Sequence, residues 1–190
     1  MIKIKILLKK FYINDTKQVA KDLLGKTLVR KIGTKILSGI ITETEAYKGK
    51  NDPASHASRK KTERNKIMFD EVGIAYVYFT YGMHYCFNVV AKKNNDKAGA
   101  VLIRAIQPQQ GINRMIKNRK TDIISNLTNG PGKLTQAMQI TLMQYDFDLT
   151  KNTSLFIVDG KKPTKIIAKP RIGIKEGTDK LWNFSVKNHF

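Results

Sequence analysis

The pattern of hydrophobic and polar positions changes along the chain from helical to strand-like spacing. Residues 11–26 carry apolar side chains at helical spacing, with Asn14 or Asp15 as the N-cap and a glycine just past the end. Residues 27–47 and 75–91 instead alternate with a period of two around glycine-containing turns. The pattern therefore predicts an early helix followed by two pairs of strands.

The second half of the chain continues with short elements and short connections. We predict a strand at 99–106, a basic helix at 112–120, a Gly-Pro-Gly loop that leads into a helix at 128–138, and short strands after residue 154. Strands outnumber helices, so we predict an α+β fold. It is a single compact domain with a curved, largely antiparallel sheet flanked by helices and a protruding β-hairpin.

The first ten residues, MIKIKILLKK, are basic and apolar. Their apolar run is too short and too interrupted by lysine for a secretory signal, so we expect an N-terminal extension or edge strand at 1–10 and one domain at 11–190. The sequence contains no uncharged apolar stretch of about 18 residues, so no membrane span is expected.

Charge narrows the class of partner. The chain of 190 residues has 35 Lys and Arg against 15 Asp and Glu, a net charge of +20. Such a protein is attracted to DNA, RNA or an anionic membrane, although a lysine-rich solvated surface explains the charge equally well. The single cysteine, Cys86, fits a small buried residue in a reducing compartment. We therefore expect a bacterial-type cytoplasmic location, with nucleoid association through DNA.

The segment ITETEAY carries the first candidate chemistry. Strict alternation places Ile41, Glu43, Glu45 and Tyr47 on one strand face. Two carboxylates make a poor core, so this face should open onto water or a cleft. A partly desolvated carboxylate beside an aromatic ring suits a general base. Taken alone, however, the segment favours an exposed face with two solvated glutamates.

The strand pair at 75–91 is unusually aromatic. One of its faces can present Tyr76, Tyr78 and Asn88 to a pocket, where aromatic rings stack on bases and an amide distinguishes base edges. Tyr81 or Met83 at the tip could enter a base stack as a wedge. The alternative is a set of core aromatics, because aromatic residues favour strands.

The polar loop that follows residue 48 contains His56 and a basic run. His56 suits a stacking group, or simply a polar surface side chain, and the His and Cys spacing predicts no metal site. Arg59, Lys60 and Arg64 suit phosphate contacts. Lys133, in the Gly-Pro-Gly loop that opens a helix, suits another phosphate. Solvated surface charges explain the basic run equally well.

Six blocks, in this order and at these spacings, carry a family resemblance: ETEAY, DPASHA, T-x-RN, YVYFTYGMHYCFNVV, AVLIRAIQP and LTNGPGKLTQA. They resemble the alkyladenine (3-methyladenine) DNA glycosylases of the mammalian methylpurine type. The similarity runs from about Phe11 to Phe184, nearly the whole chain. The first and fourth blocks are specific only in combination.

The resemblance implies a DNA base-excision repair enzyme that flips alkylated or deaminated purines out of the duplex and hydrolyses the N-glycosidic bond. Glu45 matches the general base that activates water. Arg104 matches an arginine beside that water, although an ion-paired interior arginine also suits a buried strand. No lysine nucleophile accompanies the motifs, so a monofunctional reaction without lyase activity is expected, with no cofactor and no metal.

The resemblance also implies roles around the extruded base. Tyr47, His56 and Tyr78 match residues that surround it. Asn88 matches the side chain that rejects the exocyclic amine of guanine, and Tyr81 matches the residue that fills the gap in the duplex. The expected partner is double-stranded DNA that contains damaged purines. The protein is expected to be a monomer and to have no membrane partner.

The chain departs from the family pattern in two places. Arg59–Lys61 stand where relatives usually have a glycine, and Asn183 stands where relatives often have arginine, so no role is assigned to it. The segment PRIGI at 170–174 resembles one that lines the water site through backbone groups. Two rival functions remain open. One is a non-catalytic basic protein that recognises modified or single-stranded bases with the same tyrosine pocket, and the other is a structural RNA-associated protein, which the charge of +20 alone suggests.

Overall fold

A computed structural model describes residues 5–186 of the chain. Within that range the strands are β1 Thr27–Ile32, β2 Lys35–Lys48, β3 Ala75–Thr80, β4 His84–Val90, β5 Gly99–Gln110, β6 Leu155–Val158, β7 Ile166–Lys169 and β8 Asn183–Val186. The helices are α1 Lys9–Tyr12, α2 Thr16–Leu23, α3 Ile112–Arg119 and α4 Pro131–Met138, with 3₁₀ turns at Lys66–Phe69, Ile124–Asn126 and Leu142–Gln144. None of these described helices is long and apolar enough to cross a bilayer.

Strand β2 is the centre of the sheet. The strands are ordered β3-β4-β5-β2-β1-β6, and every pairing is antiparallel. Strand β1 pairs with β2 as far as Ile40. Further along β2, at Glu43–Glu45, β8 pairs with it instead, and β7 pairs with β8. The sheet curls into a half-barrel with helices packed on it, which confirms the predicted α+β single compact domain with a largely antiparallel sheet.

Helix α2 forms where the sequence predicts it. The carboxylate of Asp15 accepts a hydrogen bond from the Lys17 backbone N–H and so caps the helix. Gly25 follows with a φ of 83°, the left-handed conformation that glycine adopts most easily after a helix. Val19 and Leu23 are fully buried in the main core, and each stabilises the fold by about 1.5–3 kcal/mol. The helix therefore packs its apolar stripe on the sheet.

Strands β2 and β5 each carry one extra residue near the middle of their pairing. The register jumps from Ile41 to Glu43, which leaves Thr42 as the extra residue on β2, and then skips Arg104 on β5. A bulge changes the face that the following side chains occupy. Ile41 therefore lies in the core, on the opposite side from Glu45. The prediction that Ile41 shares the glutamate face is wrong because strict alternation does not hold across a bulge.

The hairpin of β3 and β4 ends in a tight turn. Tyr81 and Gly82 have φ angles of 51° and 66°, and the Met83 backbone N–H donates to the Thr80 carbonyl at 3.2 Å. Two successive positive φ angles define the type I′ turn that matches the twist of antiparallel strands. A bulky side chain rarely adopts this conformation. The turn therefore holds Tyr81 in strained backbone at the outermost point of the hairpin.

The N-terminal region adds little to the sheet. Ile6 forms an isolated antiparallel bridge with Val158, and the Leu7 backbone N–H donates to the Ile157 carbonyl. The predicted N-terminal extension or edge strand covers residues 1–10, of which residues 1–4 lie outside the described residues.

Candidate active site

A cavity of about 330 Å³ opens between the hairpin, β5 and the segment that precedes β8. This volume lies within the usual range of small-molecule sites, about 300–1,000 Å³. Most of its polar and aromatic lining comes from residues that the sequence singles out. These are Tyr47, His56, Tyr76, Tyr78, Tyr81, Asn88 and Arg104, joined by Cys86 and Ile172.

Aromatic rings form one wall of the cavity. The rings of Tyr76 and Tyr78 lie 5.2 Å apart, and His56 meets Tyr78 edge to face at 4.7 Å. The Nδ1 atom of His56 shares a hydrogen bond of 2.9 Å with the Tyr76 hydroxyl. Burial, with a further contribution from Arg64, lowers the pKa of His56 below its ordinary value. The imidazole is therefore neutral at physiological pH and adds a flat, uncharged group to the wall.

The tyrosines of the cavity are held in their neutral form. Burial raises the pKa of Tyr78 and of Tyr76 above the ordinary value. Burial and the charge of Glu45 do the same for the pKa of Tyr47. Because a neutral phenol keeps its proton, Tyr47 donates a hydrogen bond to the Glu45 carboxylate at 2.8 Å.

Glu45 is fully buried, and both of its carboxylate oxygens accept hydrogen bonds. Oε1 accepts from the Ile172 backbone N–H at 2.8 Å and from the Asn183 amide at 2.9 Å. Oε2 accepts from the Tyr47 hydroxyl at 2.8 Å and, more weakly, from Arg104 at 3.4 Å. The carboxylate is thus held by four donors, as a buried charge requires.

Glu45 sits one layer behind the cavity wall. Three of its four partners, Tyr47, Arg104 and Ile172, line the cavity, whereas Glu45 itself does not. The expectation that the glutamate face opens directly onto water or a cleft is therefore wrong for Glu45, because the wall residues cover its carboxylate. Tyr47 and Arg104 also connect its Oε2 atom to the cavity, and Ile172 connects its Oε1 atom.

A buried ion pair holds the segment that carries Ile172. Arg171 and Asp52 form two hydrogen bonds of 2.6 and 2.7 Å, and both side chains are fully buried. Arg171 also donates to the Ala46 carbonyl and stacks between the rings of Tyr47 and Trp182, at 4.7 and 5.1 Å. This pair fixes the loop against β2 and so places the backbone N–H that binds Glu45.

Asn88 and Cys86 enter the cavity from β4. The Asn88 amide is 3% exposed and donates to the Tyr76 carbonyl at 3.0 Å, which fixes its orientation. Burial raises the pKa of the Cys86 thiol, so it remains protonated. Within residues 5–186 no group of three or more His, Cys, Asp or Glu side chains could hold a metal ion.

The hairpin tip is the most exposed part of the site. Tyr81 borders the cavity, yet 80% of its side chain is exposed, and Met83 beside it is 67% exposed. Large apolar side chains in such a position are candidates for contact with a partner. The two residues lie where the sequence predicts a wedge.

The basic residues of the 59–64 loop do not line the cavity, and of the three predicted phosphate-contact residues only Arg64 is shown in contact with its wall. Arg59 and Lys60 are exposed. The Arg64 guanidinium lies over the Tyr78 ring at 5.1 Å and donates to the Phe79 carbonyl at 3.4 Å. All three predicted phosphate-contact residues of this loop are thus exposed, and Arg64 also covers the ring of Tyr78.

Lys133 lies in the first turn of α4, close to the hairpin. Its ammonium group donates to Asn129 at 2.9 Å and to Asn126. Pro131, two residues earlier, lines the cavity. The two asparagine side chains of the loop thus hold the Lys133 ammonium group near the cavity.

Comparison with known proteins gives a match that covers nearly the whole chain. The family model described as methylpurine-DNA glycosylase matches residues 10–190. The chain belongs to this family. Membership places it among the DNA glycosylases, hydrolases of N-glycosyl bonds that act on DNA in repair.

Three relatives of this glycosylase carry the same provisional name, 3-methyladenine DNA glycosylase. The protein from Prosthecochloris aestuarii is 49% identical over 93% of this chain and 85% of its own length. Those from Carboxydothermus hydrogenoformans and Clostridium novyi are 47% and 45% identical, each over 97% of this chain and 96% of their own.

Sequence reasoning missed three residues of the site. Asp52 and Arg171 stand in the blocks DPASHA and PRIGI, but the motifs alone do not show that they pair across 119 positions. Asn183 received no role, yet its amide contacts the Glu45 carboxylate. A residue of opposite charge in each of these two blocks was the available signal for the ion pair.

Proposed function

We propose that this enzyme binds double-stranded DNA as a monomer, extrudes a damaged purine into the cavity and hydrolyses its N-glycosidic bond with a water activated by Glu45. The single observation that carries the proposal is the carboxylate of Glu45, held by four donors directly behind an aromatic cavity that can accept a base. A base within a duplex cannot reach such a cavity, so extrusion is required.

The cavity suits a purine on chemical grounds. An alkylated purine is cationic, and the electron-rich faces of Tyr47 and Tyr78 attract a cation more strongly than a neutral base. Neutral His56 adds a stacking surface without repelling the charge. The names of the relatives, which specify 3-methyladenine, agree with this preference.

Asn88 supplies discrimination among purines. Its amide is fixed by the Tyr76 carbonyl, so it cannot turn freely to suit each base. A fixed N–H donor repels the exocyclic amine of guanine, which is also a donor, and leaving either donor unpaired in a buried site is unfavourable. Undamaged guanine is therefore excluded, while purines without that amine are accepted.

Tyr81 and Met83 act on the duplex rather than on the base. Their exposed side chains enter the base stack and occupy the space that the extruded nucleotide leaves. Arg59, Lys60, Arg64 and Lys133 supply positive charge for the phosphates on either side. The surplus charge of +20 favours association with DNA in general.

Hydrolysis requires one proton acceptor and one stabilising charge. The water oxygen forms a bond to C1′, the electron pair of the N-glycosidic bond leaves with the base, and the proton of the water passes to Oε2 of Glu45. The negative carboxylate also stabilises the oxocarbenium-like sugar. The long Arg104 contact at 3.4 Å is the weakest of the four and gives way to the water. The products are a free base and an abasic site.

The reaction ends there, without strand cleavage. The cavity lining contains no lysine among the described residues, and lysine is the usual amine for a Schiff base with an abasic sugar. Borohydride treatment of enzyme mixed with abasic duplex should therefore yield no covalent complex. A trapped complex would overturn the monofunctional assignment.

The decisive experiment compares wild-type enzyme with Glu45→Gln on methylated duplex DNA, with free bases measured by chromatography. The variant should release no base above background and should still bind the duplex. Glu71→Gln is the matched control, because it removes the same charge from an exposed residue paired only with Lys9. Base release by Glu45→Gln at the rate of the control would overturn the proposal.

A further inference from the structure

The side chain of Asn183 bridges two carboxylates on the strand beside it. Strand β8 pairs with β2 so that Asn183 lies opposite Glu45, and Ser185 lies opposite Glu43. The Asn183 amide nitrogen donates to Glu43 Oε1 at 2.8 Å and to Glu45 Oε1 at 2.9 Å. Its two N–H groups therefore satisfy one oxygen of each carboxylate.

The orientation of this amide is fixed by its surroundings. Asn183 is fully buried, and its side-chain oxygen accepts no hydrogen bond from the residues described. A rotation of the amide by half a turn would place that oxygen against two carboxylate oxygens. Repulsion between acceptors prevents this, so the amide is held as a donor to both glutamates.

These contacts divide the two oxygens of Glu45 between different tasks. Oε1 is saturated by the Ile172 backbone N–H and by Asn183, both at hydrogen-bonding distance. Oε2 faces the wall residues Tyr47 and Arg104, and the Arg104 contact is long. Oε2 is therefore the oxygen with the weaker second donor, and so the one that can exchange that donor for a water.

We propose that Asn183 is a positioning residue, which locks Oε1 of Glu45 and thereby presents Oε2 as the proton-accepting oxygen. The inference rests on the proposed function of Glu45. Without the amide, the carboxylate can rotate about its terminal bond, because the shared partner that remains between Glu43 and Glu45 is Arg104, with long contacts of 3.4 Å to each. A misplacement of about 1 Å in a catalytic group can lower a rate about 100-fold.

The test uses Asn183→Leu, which keeps the volume and removes both donors, and Asn183→Ala, which removes the amide without added bulk. Two quantities are measured: the single-turnover rate of base release at saturating enzyme, and the dissociation constant for a duplex with a tetrahydrofuran abasic site. We expect the rate to fall about 10- to 100-fold, with the dissociation constant changed less than about threefold. Ser185→Ala is the matched control on the same strand.

A purely structural role predicts a different result. In that case both variants lower the thermal midpoint, but at temperatures well below it they release base at the wild-type rate, and this outcome would overturn the proposal. An equal loss of rate in Ser185→Ala would overturn it as well. If Asn183→Leu does not fold, Asn183→Ala alone decides.

Failure of the positioning role of Asn183 can be distinguished from failure of the proposed function of Glu45. Should Glu45→Gln release base normally, the function of Glu45 fails and Asn183 has nothing to position. Should Glu45→Gln be inactive while both Asn183 variants keep the wild-type rate, only the positioning role fails.

Discussion

The layer behind the cavity and the tip of the hairpin are built in opposite ways. Behind the cavity, Glu45, Asp52 and Arg171 have no exposed side-chain surface and are joined by hydrogen bonds to neighbours from three parts of the chain. At the tip, Tyr81 is 80% exposed and held in left-handed backbone. One region is fixed before any substrate arrives, whereas the other gains its contacts only from a partner.

The difference indicates which steps the free protein has prepared. A catalytic carboxylate works best when its donors are already in place, since reorganisation during the reaction is costly. A wedge needs the opposite, an apolar side chain that lacks a partner until DNA supplies one. Under the proposed function, the strain in the Tyr81 backbone and the order around Glu45 serve two different stages, DNA binding and base release. Each of the following changes tests one side of this contrast.

The largest effect is expected from the buried ion pair. Asp52→Ala leaves the Arg171 guanidinium buried without its carboxylate, and breaking such a pair costs about 3–5 kcal/mol. Glu71→Ala, in the exposed pair with Lys9, should leave the free energy of unfolding almost unchanged, because solvent screens an exposed pair. Urea unfolding of both variants checks this. Equal free energies of unfolding would show that the layer behind the cavity is no more fixed than the surface.

A smaller effect is expected from one hydroxyl. Tyr47→Phe keeps the ring and removes the donor to Glu45 Oε2. Hydrogen bonds to charged groups contribute about 1.5–3 kcal/mol, so the single-turnover rate should fall about 10- to 100-fold. Binding to abasic duplex should remain within about threefold. An unchanged rate would contradict the view that this donor prepares the carboxylate.

At the tip, stability and activity should move in opposite directions. Asparagine tolerates left-handed backbone better than tyrosine, and the exposed Tyr81 ring contributes little packing. Tyr81→Asn should therefore raise the free energy of unfolding by about 0.5–1 kcal/mol while base release falls. Met83→Asn is the matched control for stability, because strain is absent there and no gain is expected. Loss of stability in Tyr81→Asn would contradict the strained turn.

The smallest effect concerns His56, which lies between the two regions. Its pKa is lowered in the folded state by burial and by Arg64, so the unfolded chain takes up a proton first as the pH falls below about 6.5. Stability that His56 provides above that pH is therefore lost in acid. Between about pH 7.5 and 5.5 the thermal midpoint should fall less in His56→Gln than in the wild type. An equal fall would show that His56 titrates as if exposed.

The sequence was sufficient for much of the fold and for the cavity wall. The helix at α2 and the aromatic hairpin follow from local spacing, capping and turn residues, which act over a few positions. Tyr78, Asn88 and His56 come together at one cavity, as the family resemblance implies. The helix and the hairpin could be predicted because capping, turn residues and strand alternation are short-range patterns.

The remaining features depend on contacts between distant parts of the chain. The paired bulges place Ile41 in the core and cannot be read from alternation, since the extra residues at Thr42 and Arg104 are defined only by the register of two strands. The Arg171 pair and the Asn183 bridge join segments more than 100 positions apart. No local pattern specifies such partners, so the Arg171 pair and the Asn183 bridge could not be predicted from the sequence.

The central claim is that Glu45 activates the water that releases the base. It is tested most directly by single-turnover release of a purine from a lesion-bearing duplex by the wild type and by Glu45→Gln, with duplex binding measured in parallel. The account predicts release by the wild type alone and similar binding by both. Release by both proteins at one rate would contradict the role of Glu45. Release by neither, despite tight lesion binding, would contradict it as well and favour a non-catalytic reader of modified bases.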